Sequence, residues 1–171
     1  MDGNSQGMKT ELVASLIALS GGLIVGKTRL QKTVFLLEKF GLESGFHFEY
    51  HNYGPYSADL AEACEIATAE GVIKAETKPG FYQVPYTVYS AQLAAPAAVG
   101  NIASDRAKTL LAIMKGFTAV DLELAATMVF LEDEGVEASQ VDAQVAVLKP
   151  LKAKRDNLDK AHALLGQLKA A

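Results

Sequence analysis

The chain has 171 residues, 50% of them hydrophobic and 21% charged, enough for one compact core or two small packed subdomains without a cofactor or staple. A single cysteine, Cys64, excludes an internal disulfide, no secretory-type signal opens the chain, and its apolar stretches are broken by charge or glycine well short of the ~20 residues a membrane-spanning helix needs. These features lead us to expect a cytoplasmic protein without a membrane partner, and the net charge of -4 leaves any nucleic-acid role to a local basic patch.

The polar, glycine-rich opening, 1–7, has nothing to bury and reads as a disordered tail. From 8 to 19, Leu12, Val13, Leu16, Ile17 and Leu19 fall on one helical face, and Gly21-Gly22 provides a stop. Thr28 to Gln31 fits a capping box opening a second helix, with Leu30, Val34, Leu37 and Phe40 inward and Gly41 as its end. Between 46 and 53 the period becomes two: Phe46, Phe48 and Tyr50 alternate with His47, Glu49 and His51, as in a half-buried strand. Ser57 then caps a third helix with Asp59 in its first turn, Leu60, Cys64 and Ala67 on its inner stripe, and Gly71 closing it.

Two strand-forming runs, 72–76 and 81–89, flank Thr77-Lys78-Pro79-Gly80 and read as a hairpin. Three helices, a strand before the third and a hairpin after it give the element order of a winged helix over 8–90. An alanine, proline and glycine stretch, 91–100, reads as a connector. A helical subdomain follows over 101–171, with helices at 101–115, from Thr118 through Phe130, at 139–148, and from Pro150 through Leu151, Leu158, Ala161, Leu165 and Leu168. The expected fold is mainly α, of α+β class: a winged-helix-like N-terminal domain with a β-hairpin wing and a C-terminal helical subdomain that covers it or forms a homodimer seam.

Gly21 to Thr28, a Walker-like string, formally matches the phosphate-binding loop G-x-x-x-x-G-K-[ST]. That loop needs a strand before it, whereas the preceding residues have helical periodicity, and Leu23-Ile24-Val25 are bulky where the loop must curl. A connecting turn is the stronger reading, a small nucleotide-binding protein the weaker. His47, Glu49 and His51 share a strand face but lack a fourth ligand, so no metal is assigned. Cys64 on an apolar stripe reads as an inert core thiol, and no catalytic group or cofactor is assigned.

DNA binding through the third helix meets a charge objection, because Asp59, Glu62, Glu65 and Glu70 lie there with no lysine or arginine. Basic residues gather instead at Lys27, Arg29 and Lys32 and at Lys149, Lys152, Lys154 and Arg155, either of which is an ordinary solvated surface in the commoner case. Tyr53, Tyr56, Phe81, Tyr82, Tyr86 and Tyr89 cluster around the turn and the wing; some fill the core, and any left exposed would anchor a protein partner.

The segment from Gly26 to Leu37, which contains Leu30-Gln31-Lys32, and the segment from Phe48 to Ser57, which contains Tyr53-Gly54-Pro55-Tyr56-Ser57, together resemble the YwgA-type family of uncharacterised bacterial proteins. That family is related to the Panacea, or SocA-type, antitoxin domains of phage-associated and toxin–antitoxin systems. Leu122 to Leu131 and Val147 to Leu151 are similar to its C-terminal helices, so the likeness spans most of the chain. The resemblance implies a non-enzymatic interaction module, with a toxin or a protease substrate as protein partner. A winged-helix transcription regulator is the alternative. Arg29, Gln31 and Lys32, with Tyr53, Gly54, Pro55 and Tyr56, form the candidate partner surface; they are equally the parts of a structural brace in which Gln31 or Lys32 bonds the Gly-Pro turn.

Overall fold

The computed structural model describes residues 2–171. Helix α1 (Asp2–Leu19) takes in residues 2–7 of the expected tail, residue 1 lying outside the described residues: once the apolar turn is formed, each further residue adds a backbone bond at little cost. Strand β1 (Leu23–Val25) follows, and α2 (Lys27–Lys39) starts directly after Gly26. Here too the structure departs from expectation, because α2 is capped by Gly26 at φ 100° with no side-chain bond, and Thr28 lies inside the helix. Gly41, at φ 114°, lies just past its end as expected.

The period-two stretch keeps its alternation of burial, but only β2 (Glu49–His51) is paired, to β3 (Gly54–Tyr56) across a tight turn. Helix α3 (Ala58–Ala69) has Ser57 as N-cap, its side chain accepting from the Leu60 amide, and buries Leu60, Cys64 and Ala67. Strands β4 (Lys74–Lys78) and β5 (Tyr86–Ser90) form the expected hairpin with a longer tip than four residues, including a single 3-10 turn at Phe81–Gln83. The sheet is antiparallel in the order β1-β5-β4, with Ile24 opposite Tyr89. The strand that joins the hairpin is therefore β1, from the Walker-like string, and not the 46–53 stretch.

At the end of the expected connector and in the first residues of the helix expected at 101–115, β6 (Ala98–Val99) and β7 (Ile102–Ala103) make a small hairpin before α4 (Ser104–Lys115). Helix α5 (Ala119–Asp133) opens with a reciprocal capping box: the Asp121 amide donates to the Thr118 hydroxyl, and Thr118 N–H donates to the Asp121 carboxylate. Helix α6 (Ala138–Leu148) has no side-chain cap, so Ser139 is not one, and α7 (Arg155–Ala170) begins five residues after Pro150, leaving Leu151 exposed.

Helix α5 is apolar nearly all round and packs on α2, α6 and α7. Leu122, Leu124, Ala125, Ala126 and Met128 are fully buried in the same core cluster as Leu16, Leu36 and Leu60, so the two halves share one hydrophobic core. Full burial of each large apolar side chain contributes about 1.5–3 kcal/mol. Phe35 joins this packing edge-on to Phe48, with ring centroids 5.2 Å apart. The architecture is α+β, mainly helical, with small antiparallel sheets, and among the described residues no helix is long and apolar enough to cross a membrane.

Candidate functional site

An acid in the buried middle of a mostly apolar helix has to find a partner, because an unpaired charge in the interior is costly. Glu123 of α5, 2% exposed, meets Lys149 at 2.9 Å and Lys152 at 2.7 Å, both from the loop that links α6 to α7. Across the cluster Lys32 of α2, 1% exposed, donates from Nζ to Pro55 O at 2.5 Å, and Lys149 Nζ donates to Asn52 O. Lys152 places its ammonium 5.0 Å from the Tyr53 ring centroid. Three lysines from two segments, α2 and the α6–α7 loop, therefore grip one turn, 52–55, around a single buried carboxylate.

Burial is the main force on the Lys32 ammonium and lowers its pKa from 10.5 to about 8; Glu123 opposes the shift, while Lys149 and Lys152 add to it. Gly54, at φ +86°, brings the turn against α5, where an added Cβ would lie 2.9 Å from Thr127 Oγ1. Gln31, one position before Lys32, donates from Nε2 to Ser57 O and accepts from Ser57 N–H, each at 2.9 Å. Gly54, Pro55 and Ser57 are buried, Tyr56 is half-buried with the His51 ring 4.9 Å away, and Tyr53 is exposed on top of the turn.

Six of the seven candidate residues are thus gathered: Gln31, Lys32, Gly54, Pro55 and Tyr56 build and brace the turn, and Tyr53 is displayed by it. Arg29 is not part of the group. Its guanidinium donates to Met114 O at 3.3 Å and Phe117 O at 2.7 Å, closing the carboxyl end of α4, where burial lowers its pKa against the pull of Asp121. The basic cluster at 27–32 accordingly disperses: Lys27 is exposed, Arg29 is bound to α4 and Lys32 is buried. Of the second cluster, Lys149 and Lys152 are held by Glu123, and Lys154 and Arg155 stay in solvent.

The middle of the Walker-like string is extended and paired to β5, and Gly26 N–H donates to Thr87 O, an arrangement unlike the strand-loop-helix order that the motif requires. His47 lies 3.5 Å from Glu49 while His51 turns to Tyr56, so the three do not converge. Cys64 is buried, its thiol pushed up to about 12 mainly by that burial.

Glu123 and Thr127 escape a periodicity reading, although a lone acid within the apolar run Leu122–Leu131, lacking a cation four residues on, was a visible signal of a buried partner. The wing aromatics, which periodicity does not sort, divide sharply. Tyr89 is buried in the core, whereas Phe81 and Tyr82 at the hairpin tip are 93% and 97% exposed. Tyr82 and Gln83 also hold positive φ, 54° and 61°, a conformation that non-glycine residues seldom adopt.

No family model matches the chain. The chain is similar to the uncharacterised protein YwgA of Bacillus subtilis (strain 168), 26% identical over 139 residues, with 75% of this chain and 76% of that protein covered, which supports a YwgA-type kinship.

Proposed function

We propose that the chain is a non-enzymatic protein-interaction module of antitoxin or proteolytic-adaptor type, built on a winged-helix-like first half. The observation that carries this reading is the display of Phe81 and Tyr82 at the wing tip, nearly free of the rest of the protein and held there by a backbone in an uncommon conformation. Burying two such aromatics in a partner's pocket is the pattern of an interface anchor, since large rings bring area at small entropic cost. Exposed Tyr53, on a turn stiffened by Lys32, Lys149 and Gln31, offers a second, preorganised contact. The strand order β1-β5-β4 with α1, α2 and α3 supports the winged-helix reading. The likeness of the motif blocks to the YwgA-type family, read as a relative of the Panacea-type domains, suggests a toxin or a protease substrate as the partner.

A nuclease-treated pull-down from the source cells, read by mass spectrometry, tests this with the native chain beside a Phe81→Ser, Tyr82→Ser variant and a Tyr53→Ala, Tyr56→Ala variant of verified fold. One stoichiometric protein held by the native chain and lost from the tip variant is the expected result. Recovery of the same proteins by all three chains would overturn it.

A winged-helix DNA-binding regulator is the second reading, favoured by the same strand order. Its obstacle is α3, whose Glu62 and Glu65, with Glu70 just past its end, are exposed and repel phosphate. Retention on duplex DNA at physiological salt, weakened by Lys74→Ala and Lys78→Ala in the wing, would bring it forward.

A further inference from the structure

Between the first turn of α2, one face of α3 and strands β4 and β5 lies an open cavity of about 480 Å³, a size suited to a small organic ligand. Its floor is apolar, from Leu30, Ala61, Cys64 and Ala75. Two charges of opposite sign stand on different walls, Lys27 at the start of α2 and Glu65 on α3, and neither is engaged in an ion pair among the described residues. Helix α2 has no acidic residue in its first turn and no side-chain cap, so the partial positive charge of its amino end adds to that of Lys27.

A second observation points to an occupant. Tyr89 is 6% exposed, yet among the described residues its hydroxyl has no hydrogen-bond partner, and the groups that act on it are Cys64, Glu65 and Tyr56, all of which line the cavity. The residue is buried but its hydroxyl is not sealed in the interior, so it is open to the cavity and placed to donate to a group that enters it. Burial and the neighbouring acid push this phenol up to about 12, which keeps it a proton donor at neutral pH. Thr68 is already committed to Cys64 O at 2.7 Å, leaving the hydroxyls of Thr77 and Thr87 on the strand wall.

We infer that this cavity binds a small zwitterion of amino-acid type, its carboxylate toward Lys27 and the α2 amino end, its ammonium toward Glu65, and its apolar body on the Leu30, Ala61, Cys64 and Ala75 floor. A simple anion would leave Glu65 opposed, and a simple cation would leave Lys27 opposed; only a molecule with both charges and an apolar body answers all three walls. A free amino acid and a dipeptide share this chemistry and differ in the distance between their charges.

The test is a two-dimensional amide NMR titration of the full chain with L-leucine, L-phenylalanine and the dipeptide Leu-Leu. L-phenylalaninamide, which lacks the carboxylate, and N-acetyl-L-phenylalanine, which lacks the ammonium, serve as controls. Saturable shifts at Ala61, Thr68, Ala75 and Thr87 with a zwitterion, weakened about tenfold or more in both blocked compounds and in Lys27→Ala and Glu65→Gln, are the expected result. The stronger of the amino-acid and dipeptide responses identifies the source. Tyr89→Phe, which keeps the packing, should weaken binding while leaving the remaining spectrum unchanged. Absence of saturable shifts up to about 10 mM, or equal binding of zwitterions and blocked compounds, would overturn the inference.

Discussion

Gln31 of α2 holds Ser57 by both sides of its backbone, donating to Ser57 O and accepting from Ser57 N–H at 2.9 Å each, while the Ser57 hydroxyl caps α3. Ser57 O has a second donor in Ala61 N–H at 3.2 Å, but Ser57 N–H has only Gln31. Gln31→Leu should therefore orphan one buried donor and cost about 1–3 kcal/mol, measured by urea unfolding. Equal stability of Gln31→Leu and the native chain would show that the bond pair contributes nothing.

Gly54→Ala introduces a Cβ 2.9 Å from Thr127 Oγ1 at a residue with φ +86°. Strain in the backbone and crowding against α5 together should cost about 2–4 kcal/mol. Adding Thr127→Ala removes the crowding and leaves the backbone strain, so the double variant should recover part of the loss relative to Thr127→Ala alone. Denaturant midpoints of the four chains in this cycle give the coupling directly.

Glu123 is the one carboxylate among Lys32, Lys149 and Lys152. Glu123→Gln keeps the shape but leaves buried ammonium groups without a counter-charge, and should destabilise by about 3–5 kcal/mol. Glu123→Gln with Lys149→Met should lose less than the two single changes summed, because the second change removes a charge that the first stranded. Additive losses would mean that the pair is not energetically coupled.

Lys32 gives the protein a pH signature in the alkaline range. In the folded chain it releases its proton near pH 8, and in the unfolded chain it holds it until about 10.5, so between these values the unfolded state binds more protons and the contribution of Lys32 to stability rises with pH. The groups facing it, Glu123, Lys149 and Lys152, are common to the native chain and Lys32→Met. The stability difference, native minus Lys32→Met, should therefore increase from pH 8 to 10 in parallel urea titrations; a flat difference would show that Lys32 is not held at a lowered pKa.

Much of the helical framework was legible because the interactions that start and stop helices span only a few residues. Ser57 bonds Leu60 N–H and Thr118 bonds Asp121 N–H, each three positions along, and Leu30, Val34 and Leu37 face inward as their spacing requires. The hairpin around Pro79-Gly80 was legible for the same reason, as was the alternation from Phe46 to Tyr50. Where a local signal and a distant partner compete, the distant partner wins. Thr28 and Gln31 have the spacing of a capping box, but the Gln31 amide goes instead to Ser57, and Gly26 opens the helix.

The sequence by itself determined the order of the seven helices among the described residues, the apolar stripe on most of them and that two blocks near Lys32 and Gly54 resemble a known family. Only the tertiary structure decided that Leu23–Val25 is a strand, because its ladder bonds come from β5 some sixty residues on. The same holds for the meeting of Lys32, Glu123 and Lys149 around one turn, the docking of Arg29 on α4, and the burial of Tyr89 beside the exposure of Phe81 and Tyr82. The reason is physical: periodicity and caps record energies exchanged between neighbours in the chain, whereas buried charges and open aromatics take their environment from segments that only the folded core brings together.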